Sequence, residues 1–190
     1  MFELLPVEVG HARAVLAFER TNRAYFAATI GDRGDDFFAH FDDSWATVLA
    51  LHEAGTCRFH LLLTETGEVA GRFNLLDIED GAANVGYRLA QHLTNRGLAT
   101  GAVRTLCHRA GSEYRLHTLH ALAADGNLPS RRVLGKNGFR PYRPATAQEL
   151  PGEPAHWYRR RLSLSGHAGG TAVPAVPAVP AVPAVPAVEE

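Results

Sequence analysis

The chain has 190 residues, 46% hydrophobic and 21% charged, and its 19 Lys and Arg nearly balance 20 Asp and Glu for a formal net charge of −1. That balance gives no global field to attract nucleic acid or an anionic membrane, and the hydrophobic share is that of an ordinary globular domain. Cys57 and Cys107 form no paired motif, which argues against a disulfide scaffold or a cysteine zinc site.

No apolar stretch reaches the length of a bilayer span, and the opening MFELLPVEVGH lacks the basic head and long apolar run of a signal peptide. A cytoplasmic protein is therefore expected, without nucleic-acid or membrane partners. Phe2 to Val7 reads as a short strand ended by a proline. A helix is expected from His11 to Ala28, with Val15, Phe18, Asn22 and Phe26 on one stripe. The polar stretch Gly31 to Asp36 interrupts the pattern, and its aspartates suit the N-terminus of the next helix. That helix carries Phe38, Phe41, Trp45, Val48, Leu49 and His52 at three-four spacing.

Beyond Gly55, three strands follow as a meander: Arg58 to Thr64, Val69 to Ile78 and Ala83 to Ala90. Glu65-Thr66-Gly67-Glu68 and Glu79-Asp80-Gly81 supply the turns. A helix is expected from Gly97 to Ser112, a strand from Leu116 to Ala123, and a helix from Leu128 to Asn137 closed by Gly138. Two strands, Phe139 to Tyr142 and His156 to Leu164, complete a mixed α/β sheet with helices packed on it. Residues 1–165 form one domain in this reading, and 166–190 a low-complexity tail. Five Ala-Val-Pro copies between Ala172 and Pro186 exclude helix and central strand, leaving an extended polyproline chain. His117 and His120 lie three apart on an expected strand, hence on opposite faces, and no metal site is expected.

Chemistry concentrates in two stretches. In the first, Val85-Gly86-Tyr87-Arg88-Leu89 leads through a loop to Asn95-Arg96-Gly97-Leu98-Ala99-Thr100 and a helix. First-turn amides lack intrahelical acceptors and carry the positive end of the helix dipole, so they suit an anion. Gly97 lets a ligand approach the backbone, and Arg96 adds a cation. The second stretch runs from Ala124-Asp125-Gly126-Asn127 through Ser130 to Gly138-Phe139.

In this order and spacing the two stretches resemble the GNAT family of acyl-CoA N-acyltransferases, and most closely its RimJ/RimL branch. The family's acetyl-CoA loop has the form Gln/Arg-x-x-Gly-x-Gly/Ala. Thr94, Gly97 and Ala99 occupy its defining positions, so phosphate binding is expected to rest on amides and Arg96 in place of a leading side chain. The resemblance implies that Val85 to Leu89 bind the pantetheine arm, and that Asn95 to Thr100, Asn127, Ser130 and Lys136 also contact acetyl-CoA. The tyrosine that in many members protonates the departing thiolate is replaced by Leu134. The resemblance gives that task to Ser130, whose position also suits a helix cap.

The attacking amine must lose a proton, and a carboxylate would serve, directly or through water. Candidates are Asp77, Glu79 and Asp80, with Asp77 and Glu79 on one strand face, and the resemblance favours Asp77, which follows Phe73-Asn74 where RimL-like sequences tend to carry an acid. Tyr87 and Asn74 are alternatives that would position a water. Cys107 reads as core. Arg20 to Phe26 and Phe37-Phe38 resemble the helical wall of the acceptor groove. The expected activity is acetyl transfer from acetyl-CoA to a primary amine, foremost a protein N-terminal amine, and a homodimer is admissible. A small-molecule amine acetyltransferase, a non-catalytic acyl-CoA-binding module and an interaction unit working through the tail remain alternatives.

Overall fold

The hairpin at Gly67 forms as the turn residues direct. Strands β2 (Arg58–Thr64) and β3 (Val69–Glu79) pair antiparallel, and Gly67 takes φ +81°, a left-handed backbone that costs glycine nothing for want of a Cβ. Strand β4 (Ala82–Leu89) returns beside β3 through Asp80 and Gly81, both at positive φ, a two-residue turn whose twist suits adjoining strands. The computed structural model describes residues 2–163, so the Ala-Val-Pro repeat and the expected boundary at residue 165 lie outside the described residues.

Strand β1 (Phe2–Pro6) adds to β2, and β5 (Thr118–Ala124), β6 (Arg140–Pro144) and β7 (Ala155–Arg161) complete a seven-stranded sheet of order β1-β2-β3-β4-β5-β7-β6. Every pairing is antiparallel except that of β4 with β5. A parallel pair needs a crossover, which helix α5 (Leu98–Ser112) provides. Cross-strand partners share a face, so His60, Phe73 and Tyr87 line one side of the sheet and Leu61, Arg72 and Arg88 the other.

Helices α5 and α6 (Leu128–Lys136) cover the first face, where Leu106 and Leu134 join Phe73, Leu75 and Leu119 in a fully buried cluster. Burial of each such side chain contributes about 1.5–3 kcal/mol. The chain between β1 and β2 forms α1 (Ala12–Thr21), α2 (Arg23–Ile30), α3 (Gly34–Ala39) and α4 (Phe41–Ala54). Val15 of α1 and Phe41 and Trp45 of α4 pack on Phe59 and Leu61 of the second face.

Four expectations need correction. The helix expected from His11 to Ala28 is broken at Asn22, whose side chain donates to the Phe18 carbonyl (2.9 Å) and accepts from the Gln91 amide (3.0 Å). The stripe Val15, Phe18, Asn22 and Phe26 is nonetheless buried across the break. Phe38 belongs to the separate helix α3, whose first turn holds Asp35 and Asp36. Finally, β5 begins at Thr118 and β7 ends at Arg161, later and earlier respectively than the sequence pattern suggests, while Leu164 lies outside the described residues.

Candidate active site

Strands β4 and β5 stay paired only where Ala82, Ala83 and Asn84 meet Thr118, Leu119 and His120. Beyond that point β4 keeps its ladder with β3 as far as Leu89, and β5 keeps its own with β7 as far as Ala124. Their facing edges diverge, leaving the backbone of Val85 to Leu89 open toward the gap. An open strand edge carries unpaired N–H and C=O groups that can accept an extended, amide-bearing ligand as a further strand would.

At the mouth of the gap stands the expected anion loop. Asn95 and Gly97 both hold positive φ, 61° and 75°, with Arg96 between them. This alternation turns successive amides toward one concave point, and asparagine is among the few residues with a side chain that tolerate such a backbone. Gly97 is the N-cap of α5 and not its first turn, as the sequence suggested. The first intrahelical bond runs from the Gly101 amide to the Gly97 carbonyl (3.0 Å), so the amides of Leu98, Ala99 and Thr100 are left for a ligand. Residues Asn95, Arg96 and Gly97 are exposed. Thr94 donates its hydroxyl to the Gln91 carbonyl (2.8 Å).

Ser130 and Tyr87 meet across the gap. The Tyr87 hydroxyl lies 2.9 Å from Ser130 Oγ and 3.3 Å from the Ser130 carbonyl. The Tyr87 ring stacks on Phe73, with centroids 5.8 Å apart and planes 7° from parallel, which fixes its direction. Burial pushes the Tyr87 phenol up to about 12, against the opposing effect of its hydrogen bond with Ser130. Asn127, not Ser130, caps α6: its Oδ1 accepts from the Ser130 amide (3.1 Å). The serine hydroxyl is therefore not needed for the cap and is aimed at Tyr87. Leu134 is fully buried, and the Cys107 side chain is core as expected. Lys136 is exposed in the last turn of α6. Its neighbour Asn137 donates to the Thr100 carbonyl (3.2 Å), which ties that turn to the start of α5.

The opposite face of the sheet holds the other candidates. Asp77 sits at a bulge with φ +50°. The inserted residue breaks strand alternation, so the shared face expected for Asp77 and Glu79 does not carry through. The exposed Asp77 carboxylate accepts from Asn84 Nδ2 (2.9 Å). Asn84 and Tyr87 are three apart on one strand and face opposite ways, so the structure does not bring Asp77 to the Tyr87–Ser130 pair. Asn74, opposite Gly86, has a buried Oδ1 without a hydrogen-bond partner.

Two features escaped the sequence reading. His120 is the register partner of Asn84, at the point where β4 and β5 part, and its Nδ1 is buried without a partner. Burial, then Arg159 and Arg143, hold its imidazole below the usual histidine range and hence neutral. The second is a buried ion cluster. Glu19 of α1, 1% exposed, accepts from Arg72 (2.7 Å) and Arg88 (2.8 Å), with Arg33 Nε at 3.4 Å. The Arg88 side chain is thus committed away from the gap, and its expected contact with the pantetheine arm falls to its backbone. No residue signal short of the tertiary pairing marks Glu19.

A cleft of about 340 Å³ lies beside α6 and β6, and one of about 570 Å³ beside β1 and α5 takes in Arg96, Gly97 and Leu98. Among the described residues no cluster of three or more His, Cys, Asp or Glu could hold a metal ion, and no helix is long and apolar enough to cross a membrane.

Known proteins share this fold. Among curated relatives, the uncharacterized N-acetyltransferase p20 of Bacillus licheniformis is 33% identical over 84 residues, covering 43% of this chain and 47% of that protein. The chain thus matches about half the length of that relative. The probable N-acetyltransferase YjcK of Bacillus subtilis (strain 168) is 29% identical over 141 residues, 70% of this chain and 77% of that one. Among solved structures, the ribosomal-protein-S5-alanine acetyltransferase of Vibrio fischeri superposes with a TM-score of 0.78 at 19% identity, covering 84% of this chain and 92% of that one. The spermidine N-acetyltransferase of Vibrio cholerae, in complex with CoA and spermine, gives 0.72 at 12% identity, covering 84% and 95%. At such identities the superpositions speak for the fold and not for the acceptor. The acetyltransferase (GNAT) domain family matches residues 2–140, and the chain belongs to that family.

Proposed function

We propose that the protein transfers the acetyl group of acetyl-CoA to a protein N-terminal α-amine by direct attack. The observation that carries this reading is the Tyr87–Ser130 contact across the β4/β5 gap, set beside the free amides of Asn95 to Thr100. The pyrophosphate of the cofactor is assigned to those amides with Arg96 and Lys136, and the pantetheine arm to the open edge of Val85 to Leu89, with Asn127 at the gap's far side. Acetyl-CoA supplies the activated acetyl group and a thiolate leaving group.

The amine lone pair forms the C–N bond as the C–S bond breaks. Backbone N–H groups of the β4 edge stabilise the charge on the carbonyl oxygen. Ser130 gives its proton to the thiolate and is resupplied by the Tyr87 hydroxyl, which burial keeps protonated at neutral pH and which regains its proton from water as the CoA thiol departs. The amine approaches from the opposite face, where the orphan Oδ1 of Asn74 accepts one of its N–H groups. Its proton passes through water to Asp77, about 10 Å further along β3. A second base, His120, is favoured by its unpartnered Nδ1 and its neutral state.

Thiol release from acetyl-CoA with a panel of peptides and amines, followed by mass spectrometry of the products, tests the reading. Acetylation at peptide α-amines supports it. Turnover confined to polyamines or other small amines replaces it with a small-molecule acetyltransferase, and CoA binding without turnover makes the domain a binding module.

A further inference from the structure

One carboxylate balances three guanidiniums beneath the acceptor face. Glu19 has both oxygens engaged, Oε1 by Arg72 (2.7 Å) and Oε2 by Arg88 (2.8 Å). Arg33 comes from the turn between α2 and α3 and lies over the Phe37 ring, 4.5 Å from its centroid. Its Nε sits 3.4 Å from Glu19 Oε2 but is buried and makes no hydrogen bond. Burial, then Arg88, pull the Arg33 guanidinium down to about 10, with Glu19 opposing, so it remains charged at neutral pH.

Neighbouring carboxylates do not supply the missing charge. Asp32 and Asp35 are both taken by Arg23, at 2.7 Å each, and Asp36 pairs with His40 (3.0 Å). Buried cations without matching anions are costly, and a ligand oxyanion offsets that cost. Arg33 is the open side of the cluster, with its side chain 33% exposed against 7% for Arg72 and 17% for Arg88. The cluster is also well placed. Arg88 points from β4 to the face opposite Tyr87, about 7 Å along the strand from Gly86, beside which the amine is proposed to sit.

We infer that the acceptor carries an acidic side chain close to its amine, and that Arg33 holds this carboxylate. The inference rests on the N-terminal-amine reading and narrows it to protein N-termini with Asp or Glu in the residues that follow the first. It also sets the acceptor wall against polycations, since spermidine would bring further positive charge to three arginines.

The test uses the full chain and the peptides Ser-Glu-Ala-amide, Ser-Gln-Ala-amide and Ser-Lys-Ala-amide. For the wild type, kcat/KM for the Glu peptide should exceed that for the Gln peptide by about tenfold, with the Lys peptide poorer still. The Glu-to-Gln ratio should fall close to one in Arg33→Gln and recover in part in Arg33→Lys. A structural tie would alter thermal stability but not this ratio. A wild-type ratio near one overturns the inference, as does a ratio that persists in Arg33→Gln. An effect of Arg33→Gln confined to the KM for acetyl-CoA also overturns it, because it places the arginine on the cofactor's phosphates.

Calorimetry with the N-acetylated Glu and Gln peptides and CoA-loaded protein reads the same preference without turnover. If no peptide is acetylated, the N-terminal-amine reading fails. The calorimetric ratio then decides the anion site by itself: tighter binding of the Glu peptide, lost in Arg33→Gln, upholds it, and equal binding refutes it.

Discussion

Removing the hydroxyl of Tyr87 is the cleanest perturbation of the proposed proton path. Tyr87→Phe keeps the ring stacked on Phe73 at 5.8 Å and deletes only the oxygen that lies 2.9 Å from Ser130 Oγ. Proton transfer from a positioned side chain contributes about 10²–10⁴ in rate. A thiol ionises near pH 8.5, so its thiolate already leaves fairly well, and the low end of that range applies. The expected loss in kcat is about 10²-fold, or roughly 2.7 kcal/mol of transition-state stabilisation. Ser130→Ala should lose a similar factor.

Because the two hydroxyls act in series, the double variant should be little worse than either single one. The assay is thiol release at saturating acetyl-CoA, with the KM for acetyl-CoA measured alongside. A loss below about threefold in either single variant would refute the relay. So would a double variant whose loss approaches the product of the two, roughly 10⁴-fold, since that describes independent groups.

Three further outcomes follow from particular residues. In Gly97→Val an added Cβ meets nothing within 4 Å but must hold φ +75°, so some 1–2 kcal/mol of stability is lost and the KM for acetyl-CoA should rise about tenfold or more; an unmoved KM removes the amide-loop assignment. Glu19→Gln should cost about 3–5 kcal/mol, the scale for stranding buried partner charges, or roughly 6–20 °C in Tm, read by thermal unfolding. Burial raises the Glu19 pKa but Arg72, Arg33 and Arg88 outweigh it and hold it low. Its contribution is therefore present above the ordinary value of 4.5 and is lost as pH falls through the lower folded value. A stability curve equally steep in acid for Glu19→Gln would contradict this.

Asp77→Asn should lower kcat/KM about 10²-fold, with the acid limb of the pH profile measured alongside. A limb that survives in Asp77→Asn, disappears in His120→Gln and lies below pH 6.5 would assign the base to the histidine, whose ordinary value burial and arginines depress.

Local signals carried much of the fold. Gly67, Asp80 and Gly81 mark their turns because only some residues accept positive φ, whereas the caps fell one and three residues from the expected places, at Gly97 and Asn127. The stripe Val15, Phe18, Asn22 and Phe26 was legible as one buried face. Its break was not, since Asn22 leaves the helix for an amide at Gln91, far along the chain. Period two predicts the faces of β3 until the bulge at Asp77, which is set by pairing with β4 and not by local pattern.

The candidate site divides in the same way. The loop Asn95 to Thr100 and the Asn127–Ser130 stretch are each contiguous in sequence, whereas the Tyr87–Ser130 contact spans 43 residues and depends on the β4/β5 divergence. Nothing local brings Glu19, Arg33, Arg72 and Arg88 together, so the sequence marks Arg88 only as part of the strand expected along the cofactor arm. His120 was weighed only as a metal ligand, and its proximity to the end of the β4/β5 ladder required the register.

A crystal structure of the protein with bound CoA tests the central claim most directly. The account predicts pyrophosphate oxygens on the amides of Gly97 to Thr100, the arm along Val85 to Leu89, and the sulfur within hydrogen-bond distance of Ser130 Oγ. Phosphates bound instead in the cleft of Arg131, Arg132 and Arg140, or a sulfur remote from both Ser130 and Tyr87, would contradict it.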